Sequence, residues 1–185
     1  MPSCVCEIVE GAAAALTPAL GAQLESIFFQ ASGRDFASGP ERDAFRERWL
    51  GRYLQGGTDV VLLAMGGPHT VAGYLVGALD DPAEQQRFSD IPFFRGDFRD
   101  LCRRYPAHLH INIAPAFRSS GLGARLIAAF GARASKAGAA GMHVVTGKDA
   151  RNVIFYTRCG FVPLGGTEWN GNDVVFLGRS LAASR

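Results

Sequence analysis

Apolar positions change their spacing several times along the chain, and each change predicts an element. Cys4 to Val9 is short and rich in β-formers, which predicts a first strand. Thr17-Pro18 supplies a hydroxyl cap and then a proline for the first turn of a helix. Leu20, Leu24, Ile27 and Phe28 follow at helical spacing and give that helix one apolar face. Beyond the Ser38-Gly39-Pro40 break, Phe45, Trp49 and Tyr53 recur at every fourth position and predict a second helix. The apolar, β-rich runs 59–65 and 71–78 are parted by Gly66-Gly67-Pro68, the pattern of an antiparallel hairpin.

A long connection from Asp80 to Pro106 comes next, and a structureless loop of that size is rare inside a domain. Phe98, Leu101, Cys102 and Tyr105 stand at i, i+3, i+4 and i+7, so a helix is expected there, with Arg95, Arg99 and Arg103 on another face and Pro106 as its stop. The remainder alternates. His108–Ala114 reads as a strand, and Gly121 to Lys136 as a helix turning Leu122, Leu126, Ile127 and Phe130 inward. Met142–Thr146 reads as a strand, and Asp149–Arg158 as a short helix closed by Gly160. Phe161–Leu164 and Val174–Leu181 are the last strands, joined through an Asn170-Gly171 turn. The order predicts one mixed α/β domain over residues 1–185, with a helical insertion at 80–106.

Composition narrows the class. Hydrophobic residues at 48% against 19% charged describe a globular chain, and a net charge of +2 argues against nucleic acid as a partner. Seventeen of the 19 basic residues are arginine, a good phosphate ligand, but a compositional bias is the better explanation and no partner follows from charge alone. Cys4, Cys6, Cys102 and Cys159 form no CxxC pair and have no matching histidine pair, which argues against a metal site. They read as small buried hydrophobes rather than as an acyl-accepting thiolate. The start Met1-Pro2-Ser3-Cys4 is not that of a signal peptide, and no run approaches the roughly 20 apolar residues of a membrane span. A cytoplasmic protein without a membrane partner is expected. A homodimer is compatible with the sequence, but no particular residue argues for one.

The richest chemistry lies in Ile111-Asn112-Ile113-Ala114-Pro115-Ala116-Phe117-Arg118-Ser119-Ser120-Gly121-Leu122-Gly123-Ala124. A strand leaves through proline into small residues that open a helix. The first helical turn presents unpaired N–H groups and a partial positive charge, so this unit suits an anion, and Arg118 adds a fork of donors. A P-loop would need Gly-Lys-Ser/Thr, and a dinucleotide fold three glycines and an acid about 20 residues on; both are absent. What remains is Arg/Gln-x-x-Gly-x-Gly/Ala, which an ordinary glycine-rich helix start also matches.

A second motif follows in Asp149-Ala150-Arg151-Asn152-Val153-Ile154-Phe155-Tyr156-Thr157-Arg158-Cys159-Gly160-Phe161. With both motifs in this order, residues 59–181 resemble the GNAT superfamily of N-acetyltransferases. Tyr105-Pro106-Ala107-His108-Leu109-His110-Ile111-Asn112-Ile113 is further similar to the acetyltransferase-like domain attached to some O-GlcNAcases and to its bacterial stand-alone relatives. The resemblance implies a mostly antiparallel sheet flanked by helices, with a central strand pair splayed beyond Ala114 and Met142. It implies acetyl-CoA as co-substrate. The pantetheine arm would bond the backbone of Ile111 and Ile113, and the pyrophosphate the amides of Ser119, Ser120, Gly121, Leu122, Gly123 and Ala124 beside Arg118. Tyr156 would face the cofactor sulfur as general acid. Where members often carry asparagine, this chain has Asp149, with Asn152 three residues nearer the tyrosine. Either can meet the arm, and Asp149 can equally cap its own helix.

The implied reaction is direct attack of an amine on the thioester in a ternary complex, with a backbone N–H near Ile113 at the oxyanion. The base is less evident. Closer relatives often have aspartate at the place of Asn112, and an amide takes no proton. His108 and His110 share a strand face with Asn112 unless a bulge intervenes, and His110 is the candidate beside Asn112. Asp80, Asp81, Glu168 or a water relay are alternatives. A protein that binds acetyl-CoA without transferring its acyl group is the rival reading, and a longer-chain acyltransferase a third. The acceptor is unidentified. In the superfamily the segments before the cofactor strand shape its pocket, here 29–55 and 80–106, and the mix of Phe88, Phe93, Phe94 and Phe98 with arginines and acids selects neither small nor peptide amines.

Overall fold

The computed structural model describes residues 6–11, 16–55 and 59–181. Cys4 lies outside them, so the first strand is seen only as β1, Glu7–Gly11. By its internal contacts the chain divides into two compact units. The first takes the described residues of Met1–Gly77 with His110–Phe130, the second those of Ala78–Leu109 and Gly131–Arg185.

In the first unit, helix α1 (Pro18–Ser32) starts as its sequence dictates. Thr17 Oγ1 accepts the Leu20 N–H at 3.3 Å, Pro18 occupies the first turn, and Gly33 ends the helix at φ 58°. Its inward stripe buries Leu24, Ile27 and Phe28, each contributing roughly 1.5–3 kcal/mol by leaving water. Helix α2 (Gly39–Trp49) is capped reciprocally, since Ser38 Oγ accepts from Glu41 N and the Glu41 carboxylate accepts from Ala37 N. It stops at Trp49, four residues short of Tyr53. Leu50 leaves helical geometry at φ −138°, and Gly51–Leu54 tightens into a 3₁₀ turn in which Tyr53 N donates to Leu50 O at 3.1 Å. Tyr53 and Arg52 are thereby buried. Strand β2 (Asp59–Gly67) pairs antiparallel with β1, and β3 (Thr70–Ala78) follows.

The second unit opens with the 80–106 insertion. Two 3₁₀ turns, Gln86–Phe88 and Pro92–Phe94, precede α3 (Arg99–Arg104), a shorter helix than the apolar spacing suggests. Phe88, Phe93, Phe94 and Phe98 are all buried there. Strand β4 (Ala107–Ile113) pairs in parallel with β5 (Gly141–Gly147) through Ala107↔Met142 and His108↔His143. Helix α4 (Leu122–Lys136) links the units in sequence, and α5 (Asn152–Arg158) leads to the hairpin β6 (Val162–Trp169) and β7 (Asn172–Ser180). Asn170 at φ 51° and Gly171 at φ 74° form the left-handed turn that Asn-Gly predicts. The seven strands run in the order β1-β2-β3-β4-β5-β7-β6, a mixed and mostly antiparallel sheet with β4/β5 as its parallel pair.

Candidate functional site

In the first unit the predicted anion loop grows from the end of β4. Ala114 N donates to Ala72 O at 2.9 Å, so β4 is bonded to β3 up to its last residue. Alternation along an extended strand then turns the N–H and C=O of Ile113 and Ile111 toward the opposite edge. Pro115 opens a 3₁₀ turn to Phe117, whose ring lies against Gly66, where a Cβ would come within 2.8 Å of it. Arg118 folds back, and its Nε donates to Ile113 O at 3.1 Å. The guanidinium therefore starts out bound to the strand carbonyl, beside the predicted anion site.

Ser119 adopts φ 61° and Gly121 φ 78°. Ser119 is one of only two non-glycine residues at positive φ among those described, a conformation that costs an L-residue about 1 kcal/mol or more. Left-handed residues on either side of Ser120 are the kind of backbone that can turn successive N–H groups to one side as an anion-binding concavity. Ser120 Oγ donates to Phe117 O at 2.7 Å and pins the loop. Buried Leu122 anchors the start of α4, while Ser119, Ser120, Gly121 and Ala124 stay exposed. A Cβ built on Gly121 would meet nothing within 4 Å, in keeping with its exposure. The amides of Leu122, Gly123 and Ala124, in the first turn, have no intrahelical acceptor.

The other face of β4 carries the polar candidates. Asn112 Nδ2 donates to the hydroxyl of buried Tyr74 on β3 at 2.8 Å. Ile113 points the other way, its Cδ1 lying 2.6 Å from where a Gly73 Cβ would stand, so the alternation holds here without a bulge. His110 is half-buried. Its Nε2 lies 3.1 Å from Tyr53 Oη, and its ring stands edge-on to Trp49 and Tyr53 at 5.3 and 5.1 Å. Burial, and then the nearby Arg52 guanidinium, lower its pKa to about 4, so the imidazole is neutral at ordinary pH. The sequence places Tyr53 in a helical repeat and Tyr74 in the apolar run 71–78, and foresees neither bond. Their partners lie 57 and 38 residues away in the chain, and no local pattern marks such pairs.

The second unit holds the remaining candidates. Tyr156 is buried on α5, with Phe155 and Phe161 around its ring at 5.3 and 5.6 Å. Burial, and then Cys159, push its phenol well above the usual range, so it stays protonated. The helix begins at Asn152 rather than Asp149, and its cap position, Arg151, makes no side-chain bond. Asp149 is thus an exposed turn residue rather than a cap, whereas Asn152 Oδ1 accepts from Thr146 Oγ1 at 3.1 Å and is tied to β5. His108 is a core residue, 2% exposed, stacked on His143 at 5.4 Å and edged by Phe88 and Phe94. That burial sets it apart from His110. Asp81 accepts from Ala83 N at 2.8 Å and turns its own loop, while burial raises its pKa. Trp169, beside the Asn170-Gly171 turn, is partly covered by Phe93, their ring centroids 5.5 Å apart. A groove of about 520 Å³ on the β6–β7 hairpin includes Glu168 and the exposed Lys148–Asp173 pair, but none of the residues of the predicted anion loop.

Comparison with known proteins fits this geometry. Residues 73–163, which include the anion loop and Tyr156, match the model of the acetyltransferase (GNAT) domain family. The fold is the mixed α/β GNAT fold. A protein assigned to the GNAT acetyltransferase family from Desulfovibrio desulfuricans is similar at 18% identity and a TM-score of 0.67, over 96% of this chain and 99% of that one. SsHAT matches at 21% identity and a TM-score of 0.67, covering 95% and 99%. YncA from Salmonella typhimurium, solved with acetyl-CoA, matches at 18% identity and a TM-score of 0.59, covering 97% and 96%. Among the described residues no helix is long and apolar enough to cross a membrane.

Proposed function

We propose that this protein is an N-acetyltransferase that moves an acetyl group from acetyl-CoA to an amine in a ternary complex. The observation that carries the reading is the exposed, left-handed backbone of Ser119 and Gly121 at the head of α4, within a segment that matches an acetyltransferase domain model. The amides of Ser119 to Ala124 take the pyrophosphate, with Arg118 swinging from Ile113 O onto it. The pantetheine arm bonds the main chain of Ile111 and Ile113, whose polar groups face away from β3. Asp149 and Asn152 are its remaining contacts.

The amine nitrogen attacks the thioester carbon, and an N–H near Ile113 holds the developing oxyanion. The carbon–sulfur bond breaks, and the leaving thiolate takes a proton from Tyr156, a role supported by a phenol that burial keeps protonated. His110 accepts the proton from nitrogen and Asn112 orients the amine. Solvent returns the proton that Tyr156 gave up and removes the one that His110 gained. Among the bases considered, His110 is favoured over the core residue His108 by its partial exposure.

In this reading residues 1–185 act as one catalytic domain. The Tyr105–Ile113 likeness to O-GlcNAcase-linked acetyltransferase-like domains then marks a narrower kinship. The free thiols of Cys6, Cys102 and Cys159 fit a reducing cytoplasm. Titration with coenzyme A in a calorimeter, followed by a panel of amines with acetyl-CoA and detection of free thiol, tests the assignment. Saturable heat and thiol release with at least one amine are expected; no heat with coenzyme A defeats it.

A further inference from the structure

Two tyrosine hydroxyls from different elements meet two polar side chains on one face of β4. Tyr74 Oη, on β3, accepts the Asn112 Nδ2–H at 2.8 Å. Tyr53 Oη, on the 3₁₀ turn after α2, stands 3.1 Å from His110 Nε2. Tyr53 and Tyr74 are fully buried, whereas His110 and Asn112 are half-buried. Trp49 closes the imidazole from the α2 side and Arg52 is the charged group beside it.

We propose that Tyr53 is a positioning residue for acyl transfer: its oxygen accepts the Nε2–H of His110 and so leaves Nδ1 bare to take the amine's proton. The inference rests on the functional reading above and extends it to a residue that touches neither cofactor nor amine. In a neutral imidazole one nitrogen carries the hydrogen and the other a lone pair, and a hydrogen bond at one fixes which. A buried phenol oxygen can accept from Nε2–H while its own hydrogen goes elsewhere. The Tyr74 oxygen accepts from Asn112 Nδ2 in this way on the same strand face, and that bond leaves Oδ1 as the acceptor atom of the amide. The acceptor atoms are then Nδ1 and Oδ1. One removes a proton from the attacking nitrogen and the other holds a remaining N–H, the requirement of a primary amine. As the nitrogen–carbon bond forms, the proton passes to Nδ1 and the imidazolium releases it to water.

Nitrogen-15 NMR of the His110 ring in the whole chain tests the contact without relying on turnover. Expected is the Nε2–H tautomer in the wild type and a mixture of tautomers in Tyr53→Phe. The same variant should lose about tenfold in kcat, in the range typical of outer-sphere orienting bonds, with KM for acetyl-CoA unchanged. In a His110→Gln background Tyr53→Phe should change kcat no further. An Nδ1–H tautomer in the wild type overturns the proposal even if Tyr53→Phe fails to fold. An undiminished Tyr53→Phe effect in the His110→Gln background overturns it as well. If no amine is acetylated while the Nε2–H tautomer is present, the functional reading fails, and the catalytic use of Tyr53 with it, but the contact stands.

Discussion

His110 shows how a single environment sets a residue's chemistry. Its ring is removed from water beside a guanidinium, so the charged form is disfavoured twice and the pKa falls from 6.5 to about 4. Between those values the unfolded chain binds a proton that the folded chain refuses, so stability falls as pH drops from about 6.5 toward 4 and the loss levels off below. We expect the wild type to lose about 1–3 kcal/mol more than His110→Gln between pH 7 and pH 4, read from urea midpoints at each pH. Tyr156 is the opposite case, a phenol whose proton burial retains. Tyr156→Phe should lower kcat by about 10²-fold or more with acetyl-CoA affinity nearly unchanged. An equal loss of both would make Tyr156 a binding residue instead.

At the scale of elements, the junction between β3 and β4 is governed by close approach. A Cβ at Gly73 would stand 2.6 Å from Ile113 Cδ1 and 2.9 Å from the Asn112 carbonyl oxygen, and that oxygen belongs to backbone that cannot step aside. Gly73→Ala is expected to cost about 1–3 kcal/mol by overpacking and to lower the melting temperature. Because the clash falls on the strand that carries Ile111 and Ile113, calorimetry should also find weaker coenzyme A binding at a temperature where the variant is folded. The loop between β4 and α4 accepts strain of its own. Ser119 holds a left-handed conformation that glycine adopts more readily, in the loop predicted to take an anion.

At the scale of the whole molecule, a cofactor that binds only the folded chain adds stability by mass action. Acetyl-CoA at a hundred times its dissociation constant should contribute about 2.7 kcal/mol and raise the melting temperature in a thermal scan. An unchanged transition would count against the donor loop as a phosphate site. The sequence by itself determined the element order, the cap at Thr17, the Asn170-Gly171 turn and the small-residue helix start, because each rests on contacts within a few residues. It also marked His110, Asn112 and Tyr156 as chemistry without separating core from site. Only the tertiary structure decided that His108 packs in an aromatic core while His110 meets Tyr53, that Asn112 meets Tyr74, and that Asp149 caps nothing. Burial and long-range hydrogen bonds depend on which distant segments fold together, and a local pattern of residue types carries no record of that.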